Sequence, residues 1–404
     1  MRTGVFAGLK VVLRRSCVLV TTDRAVAHIV AHGDAYASQE LPVQEDADEG
    51  IEVLGSGLID SPGRMRLAVA YADVANEKFY LQVSPFPQPL STNAGEDCAT
   101  KPPEAVRADG KQRQDSIRFE LVSAPTDFLS IHAEATNGDI FHGVILFRTD
   151  SMVGFGFVDE RGHTSPSKQC IRLSNTQFAT FFPEFADFTH PVISSFLTYG
   201  PENEGLITFG CADVYIRVFQ GSVKNKLFGG PYITSDFQMD GPVTSVTLFT
   251  ERILSGAKSS WNLLATCAIG YALVFSDLFK SPPTAPELLP ESDMFDSVFA
   301  GLAVDVDLDG KAELLLGTDQ GSLVVYKNVG TRDGRSSWRL QPKKRSDFEA
   351  FGSVYCLRKR DVNNDGIDEL LLATSTGVFV LEMDQNILYT KMERILGLAN
   401  PKAP

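Results

Sequence analysis

Asp305-Val-Asp-Leu-Asp-Gly-Lys-Ala-Glu-Leu-Leu-Leu-Gly-Thr-Asp-Gln-Gly321 and Asp361-Val-Asn-Asn-Asp-Gly-Ile-Asp-Glu-Leu-Leu-Leu-Ala-Thr-Ser-Thr-Gly377 superpose without a gap, Asp305 on Asp361 and Gly321 on Gly377. Each opens on an acidic loop, passes through an apolar run (LLLGT, LLLAT), turns, and enters a third run (SLVVYK, VFVLEM). Ser297-Val-Phe and Ser353-Val-Tyr stand ahead of them at the same spacing. A fixed internal period of this size marks a repeat architecture.

Looser copies lie upstream. WNLLATCAIGYALVFSD (261–277) places Gly270 at the turn that Gly321 occupies in the later copy. GLITFGCADVYIRVFQG (205–221), GVILFRTDSMVGFGFVD (143–159), RLAVAYADVANEKFYLQV (66–83) and SCVLVTTDRAVAHIVAHG (16–33) repeat the two-strand pattern. HPVISSF (190–196) resembles GPVTSVT (241–247). Seven units result, beginning near Cys17, Arg66, His142, Gly205, Asn262, Glu313 and Glu369.

The runs are short and rich in Val, Leu, Phe and Tyr, with Gly, Asp and Asn between them, which reads as strand and turn. No segment carries a long 3.6-residue amphipathic period, so a helical solenoid is disfavoured. A repeat of this length holds four strands with their loops. One such sheet cannot bury both its faces, whereas a ring of them buries the faces mutually. The expected fold is all-β, a seven-bladed β-propeller, with residues 1–404 as a single domain. Residues 85–116, rich in Pro and charge and poor in large apolar side chains, are expected to form a mobile insertion. QEDADEG at 44–50 reads the same way, and 331–347 reads as a basic loop of the penultimate blade.

The formal net charge is −14, from 51 acidic and 37 basic residues. That balance disfavours nucleic acid, which needs a basic face, and disfavours an unaided anionic membrane. No run approaches the ~20 apolar residues that span a bilayer, and the basic residues Lys10, Arg14 and Arg15 interrupt any leader-like N-terminal run. Six cysteines without paired spacing point to a reducing compartment, and the expected location is cytoplasmic.

The acidic loops carry the sharpest chemistry. Asp305, Asp307 and Asp309 occupy loop positions one, three and five, Gly310 six, Lys311 seven and Glu313 nine. The second loop matches with Asp361, Asn363, Asp365, Gly366, Ile367 and Glu369. Calcium takes six to eight oxygen ligands, and such a loop offers side-chain oxygens at one, three, five and nine. Lys311 and Ile367 would add main-chain carbonyls, and glycine at six permits the sharp turn. An EF-hand is excluded, because its twelfth-position glutamate is Leu316 in one loop and Leu372 in the other. The alternative is a metal-free Asx turn.

Catalytic motifs are lacking: the sequence holds no GxSxG, P-loop, HExxH or dinucleotide fingerprint. The six histidines (His28, His32, His132, His142, His163 and His190) lie apart in sequence and read as core or surface residues. Trp261 and Trp338 read as blade-packing or contact residues, and Phe348, Phe351 and Tyr355 near the basic loop read as core, an exposed aromatic patch being the alternative. No enzyme activity is expected.

The acidic loops followed by ELLLGT and ELLLAT resemble the FG-GAP repeat of integrin alpha-chain propellers, whose loops bind calcium. FFPEFADFT (181–189), DGPVTSV, LLPESDMFDSV, DVDLDGKAELLLGT and GSLVVYKN are, in order and spacing, similar to the kaptin family. That resemblance implies a non-catalytic scaffold subunit of the KICSTOR complex, paired with a second FG-GAP propeller protein and other KICSTOR subunits. It further implies recruitment of the GATOR GAP complex to the lysosomal membrane, with negative regulation of amino-acid- and glucose-dependent TOR kinase signalling. The other role the family implies is association with actin filaments in lamellipodia and stereocilia. The basic stretches RLQPKKR (339–345) and LRKR (357–360) are the cluster suited to acidic actin.

Overall fold

The computed structural model describes residues 10–14, 17–21, 25–32, 35–41, 51–61, 64–86, 116–161, 169–200, 203–224, 227–251, 260–280, 284–330, 337–341, 352–363, 365–382 and 388–389. The stretches 44–50, 87–115, 331–336 and 342–351 lie outside them, and with them most of the expected insertion, Phe348, Phe351 and the Pro-Lys-Lys-Arg run.

Strand dominates, in consecutive antiparallel meanders. The first is β1 (Lys10–Arg14), β2 (Cys17–Thr21), β3 (Val26–His32) and β4 (Ala35–Leu41). The second is β5 (Ile51–Ser61), β6 (Arg64–Asp73), β7 (Lys78–Pro85) and β8 (Ile117–Leu121). The third is β9 (Asp127–Glu134), β10 (Ile140–Phe147), β11 (Met152–Asp159) and β12 (Ile171–Arg172). The fourth is β13 (Val192–Tyr199), β14 (Glu204–Cys211), β15 (Tyr215–Lys224) and β16 (Leu227–Gln238). The fifth is β17 (Val243–Glu251), β18 (Ser260–Cys267), β19 (Tyr271–Phe275) and β20 (Glu287–Leu288). The sixth is β21 (Val298–Val304), β22 (Glu313–Thr318), β23 (Leu323–Asn328) and β24 (Trp338–Leu340). The seventh shows three strands among the described residues, β25 (Val354–Arg360), β26 (Glu369–Thr374) and β27 (Gly377–Leu381). The two-strand units read from the sequence fall on the second and third strands of these sheets.

First strands neighbour one another in sequence order, β1 beside β5, β5 beside β9 and so on to β25, which neighbours β1, so the sheets stand around a ring as propeller blades do. The apolar cores lie in the seams between blades. Leu264, Val274 and Phe249 of the fifth meet Leu314, Val324 and Tyr326 of the sixth. Val20 and Ile29 of the first meet Cys356 and Leu371 of the seventh. A second strand has a blade against each face, so it is apolar at consecutive positions rather than alternate ones. ELLLGT of β22 is buried at every residue. Each such leucine contributes about 1.5–3 kcal/mol on burial.

The seams carry a repeated polar staple. Ser297 Oγ donates to the carbonyl of Ala268 at 2.6 Å, one blade back, and Ser353 Oγ donates likewise to that of Asp319 at 2.8 Å. Gly270 and Gly321, at matching turns of successive blades, have φ of +93° and +77°. A Cβ on either would stand 2.7 Å from a carbonyl oxygen of the following blade, that of Asp296 or of Gly352.

Two features depart from a plain repeat. Between the third and fourth blades the chain forms α1 (Asn175–Phe181) and α2 (Pro183–Ala186), whereas the sequence reading contains no helix. Ser174 and Gln177 make a reciprocal capping box that starts α1, and Pro183 opens α2. Phe178, Phe181, Phe182, Phe185 and Phe188 then fill one cluster with Phe141, Phe147, Phe209 and Phe219. In the same region β16 pairs in parallel with β9 at Phe228 and Ala133, which joins the two blades in one eight-stranded sheet.

Candidate cation loops

Both acidic loops join the first strand of a blade to its second, from β21 to β22 and from β25 to β26. Their main-chain N–H to side-chain hydrogen bonds match one for one. Asp305 accepts from the Asp309 and Gly310 amides at 3.0 and 2.8 Å, and Asp361 accepts from Asp365 and Gly366 at 3.1 and 3.0 Å. Asp307 Oδ1 accepts from Asp309 at 3.1 Å, as Asn363 Oδ1 does from Asp365 at 2.9 Å. Asp309 accepts from the Lys311 amide at 2.9 Å, and Asp365 from the Ile367 amide at 2.8 Å. Glu313 and Glu369, both buried at the start of the second strand, reach back to the Val306 and Val362 amides at 3.0 and 2.6 Å. Gly310 and Gly366 have φ of +86° and +91°, the left-handed turn anticipated for position six.

The structure therefore brings the expected groups together. Carboxylate oxygens of Asp305, Asp307 and Glu313 lie within 4.8 Å of one another, as do those of Asp361, Asp365 and Glu369. The bonds seen at Lys311 and Ile367 are made by their N–H groups. Burial pushes the Glu313 and Glu369 carboxyls above the ordinary range, opposed in part by the Val306 and Val362 amides.

The loops differ in what faces them. In blade six Lys327 of β23 extends its ammonium into the loop, 2.5 Å from Asp307 Oδ2, 2.8 Å from Asp309 Oδ2 and 3.6 Å from Glu313 Oε1. Hydrogen bonding to Lys327 holds the Asp309 carboxyl below its usual value, and bonds to Asp307 and then Asp309 raise the Lys327 ammonium. Leu314 pairs with Tyr326, which sets Lys327 across from Glu313. In blade seven Leu370 pairs with Leu381, so the residue that follows, across from Glu369, is Glu382. The ungapped alignment of the two repeats would have put Met383 there and matched Gly377 to Gly321. The turn after β26 is one residue shorter, which slips the register.

A hard dication fits the blade-seven loop by donor type: oxygens of three carboxylates converge, Asn363 adds an amide bonded to Asp365, and no ammonium is seen among the described contacts. The blade-six loop does not fit in the same way, because a cation from the chain itself already lies against three of its carboxylates. Lys327 escapes a reading of the loop by spacing, because it lies on the strand after Glu313 and only strand register brings the two together.

Other sequence candidates remain scattered. His132 and His142 do meet, Nδ1 to Nδ1 at 2.7 Å, with Asp159 3.6 Å from His142, and His190 pairs with Asp213 at 2.7 Å. Trp261 and Trp338 are buried blade residues, and Tyr355 stacks on Phe299 at 5.6 Å. Cys170, Cys211, Cys267 and Cys356 are free and buried, and burial pushes the Cys170 and Cys211 thiols up to about 12. Of the described basic cluster, Arg339 and Lys359 are exposed, whereas Arg360 has its Nε buried. No helix among the described residues is long and apolar enough to cross a membrane.

Among solved structures, similar ones include BBS1N in complex with ARL6DN, soaked with lead (11% identity, 91% of this chain and 86% of that one, TM-score 0.44). Another is the Drosophila semaphorin 1a extracellular domains 1–2 (11% identity, 94% and 86%, TM-score 0.48). The KICSTOR complex protein kaptin of Mus musculus is 28% identical over 273 residues, which are 66% of this chain and 60% of the mouse protein. The chain's match thus spans less than two thirds of that relative's length. A model of the family described as KICSTOR complex protein kaptin matches residues 158–393, from the end of the third blade through the seventh and past both acidic loops. With more than half of its 404 residues matched by that model, the chain belongs to the kaptin family.

Proposed function

We propose that the protein is a non-catalytic scaffold subunit of a KICSTOR-like complex. In this reading it helps recruit the GATOR GAP complex to the lysosomal membrane and restrains amino-acid- and glucose-dependent TOR kinase signalling. The observation that supports it is the family match from the end of blade three through blade seven. A ring of sheets whose cores lie in its seams makes a rigid body with many exposed loops and strand edges, suited to holding partners. Affinity purification of the full chain from nutrient-starved cells, with mass spectrometry, is expected to recover a second FG-GAP propeller protein and the larger KICSTOR subunits. Their absence from a stable complex would remove this reading. Co-sedimentation with actin filaments at physiological salt measures the other role, and pelleting that survives that salt would favour it.

We assign calcium to the blade-seven loop, held by Asp361, Asn363, Asp365, Glu369 and the carbonyl of Ile367. The convergence of three carboxylates supports the choice. Calorimetric titration with calcium after chelation is expected to show binding that Asp365→Asn abolishes. Equal heats from both proteins would exclude the assignment.

A further inference from the structure

The loops of blades six and seven share every main-chain N–H to side-chain hydrogen bond described above, yet only the first has an ammonium against it among the described contacts. Lys327 projects from β23 into the first, and Glu382 follows β27 beside the second. The Lys327 contact is more than a surface ion pair. It touches three carboxylates, and one of them, Glu313, is 2% exposed. Glu313 Oε1 receives no hydrogen bond within the described residues, so the ammonium at 3.6 Å is the positive charge that faces it. A buried carboxylate without such a partner is strongly unfavourable. Lys327 is itself partly covered, with 29% of its side chain exposed.

We infer that Lys327 is a tethered cation standing where a free ion would otherwise be required, so that the blade-six loop keeps its fold without metal. One ammonium bridging Asp307, Asp309 and Glu313 neutralises the loop from within. Among the described residues one loop thus carries a covalently attached cation and the other does not, and metal chelation should act on the second alone.

The test uses the full chain with the blade-seven loop disabled by Asp361→Asn and Asp365→Asn, so that any binding belongs to blade six. Calcium is titrated calorimetrically, and thermal unfolding is followed with calcium and with chelator. With Lys327 intact, no binding heat and no calcium-dependent shift in unfolding temperature are expected. Adding Lys327→Met should create one calcium equivalent of binding and make the unfolding temperature rise with calcium. Calcium binding in blade six with Lys327 in place would overturn the inference. A natively folded Lys327→Met chain that takes up no calcium would overturn it equally. Should Lys327→Met fail to fold in chelator, refolding on addition of Asp307→Asn and Glu313→Gln supports charge replacement. Continued failure of that combination would show that Lys327 has a different task, and would also overturn the inference.

Discussion

Gly321 and Gly352 meet in the seam between blades six and seven, where a Cβ on Gly321 would lie 2.7 Å from the Gly352 carbonyl oxygen. Gly321 also has φ of +77°, so alanine adds backbone strain to a steric clash. Gly321→Ala is expected to cost about 2–4 kcal/mol. Gly310→Ala, at φ of +86° with nothing within 4 Å, should cost about 1 kcal/mol. Chemical denaturation of both variants checks the ordering, and equal losses would contradict the seam argument.

Phe185 is 1% exposed and touches Phe182, Phe209, Phe219 and Tyr232 at centroid distances of 4.7 to 6.1 Å. Phe185→Ala should cost about 3–5 kcal/mol. Hydrogen exchange is expected to report the loss first in blades three and four, the sheets on which the helical segment packs. Loosening spread evenly over all blades would count against that segment as a local wedge.

Ser353 Oγ donates to the Asp319 carbonyl, and Ser297 Oγ donates to that of Ala268. Removing either by Ser→Ala should cost about 1 kcal/mol, and the two together about twice that, since they lie in different seams. Unfolding midpoints of the single and double variants measure this. Strong non-additivity would mean that the seams are coupled.

Arg217 grips Asp236 across β15 and β16, with Nε to Oδ1 at 2.6 Å and Nη2 to Oδ2 at 2.8 Å. That hydrogen bonding holds the Asp236 carboxyl below its ordinary value. The pair's stabilisation is therefore present above the unfolded-state value of about 3.9 and is lost as pH falls through the lower folded-state value. Asp236→Asn should flatten the acid side of a plot of unfolding temperature against pH and leave its neutral-to-alkaline slope unchanged. An unaltered acid limb would show that the pair contributes nothing.

Much of the fold is legible because the second strands are apolar at consecutive positions and the turns between strands repeat their Gly and Asp. The run LLLGT predicts β22, and WNLLATC lands on β18. The helical segment is not legible by periodicity: FFPEF is dense in residues that favour strands, and the remaining signals are Ser174 with Gln177 and a proline at the start of α2. At the candidate site, the loop ligands follow directly from spacing, since each set is contiguous in the chain. Lys327 and Glu382 do not, because their placement depends on a hairpin whose length differs by one residue between blades. Repetition in sequence gives the parts that are alike, and the placement of Lys327 against its loop sits where the copies diverge.

The parallel pairing of Phe228 with Ala133 has a mechanical corollary. The other seams described above are held by apolar side chains and by hydroxyl bonds such as those of Ser297 and Ser353. Blades three and four are instead laminated by main chain, from the outermost strand of one to the innermost strand of the other. A pull on β16 near Phe228 is thus carried to β9 of the neighbouring blade through a main-chain bridge as well as through side chains.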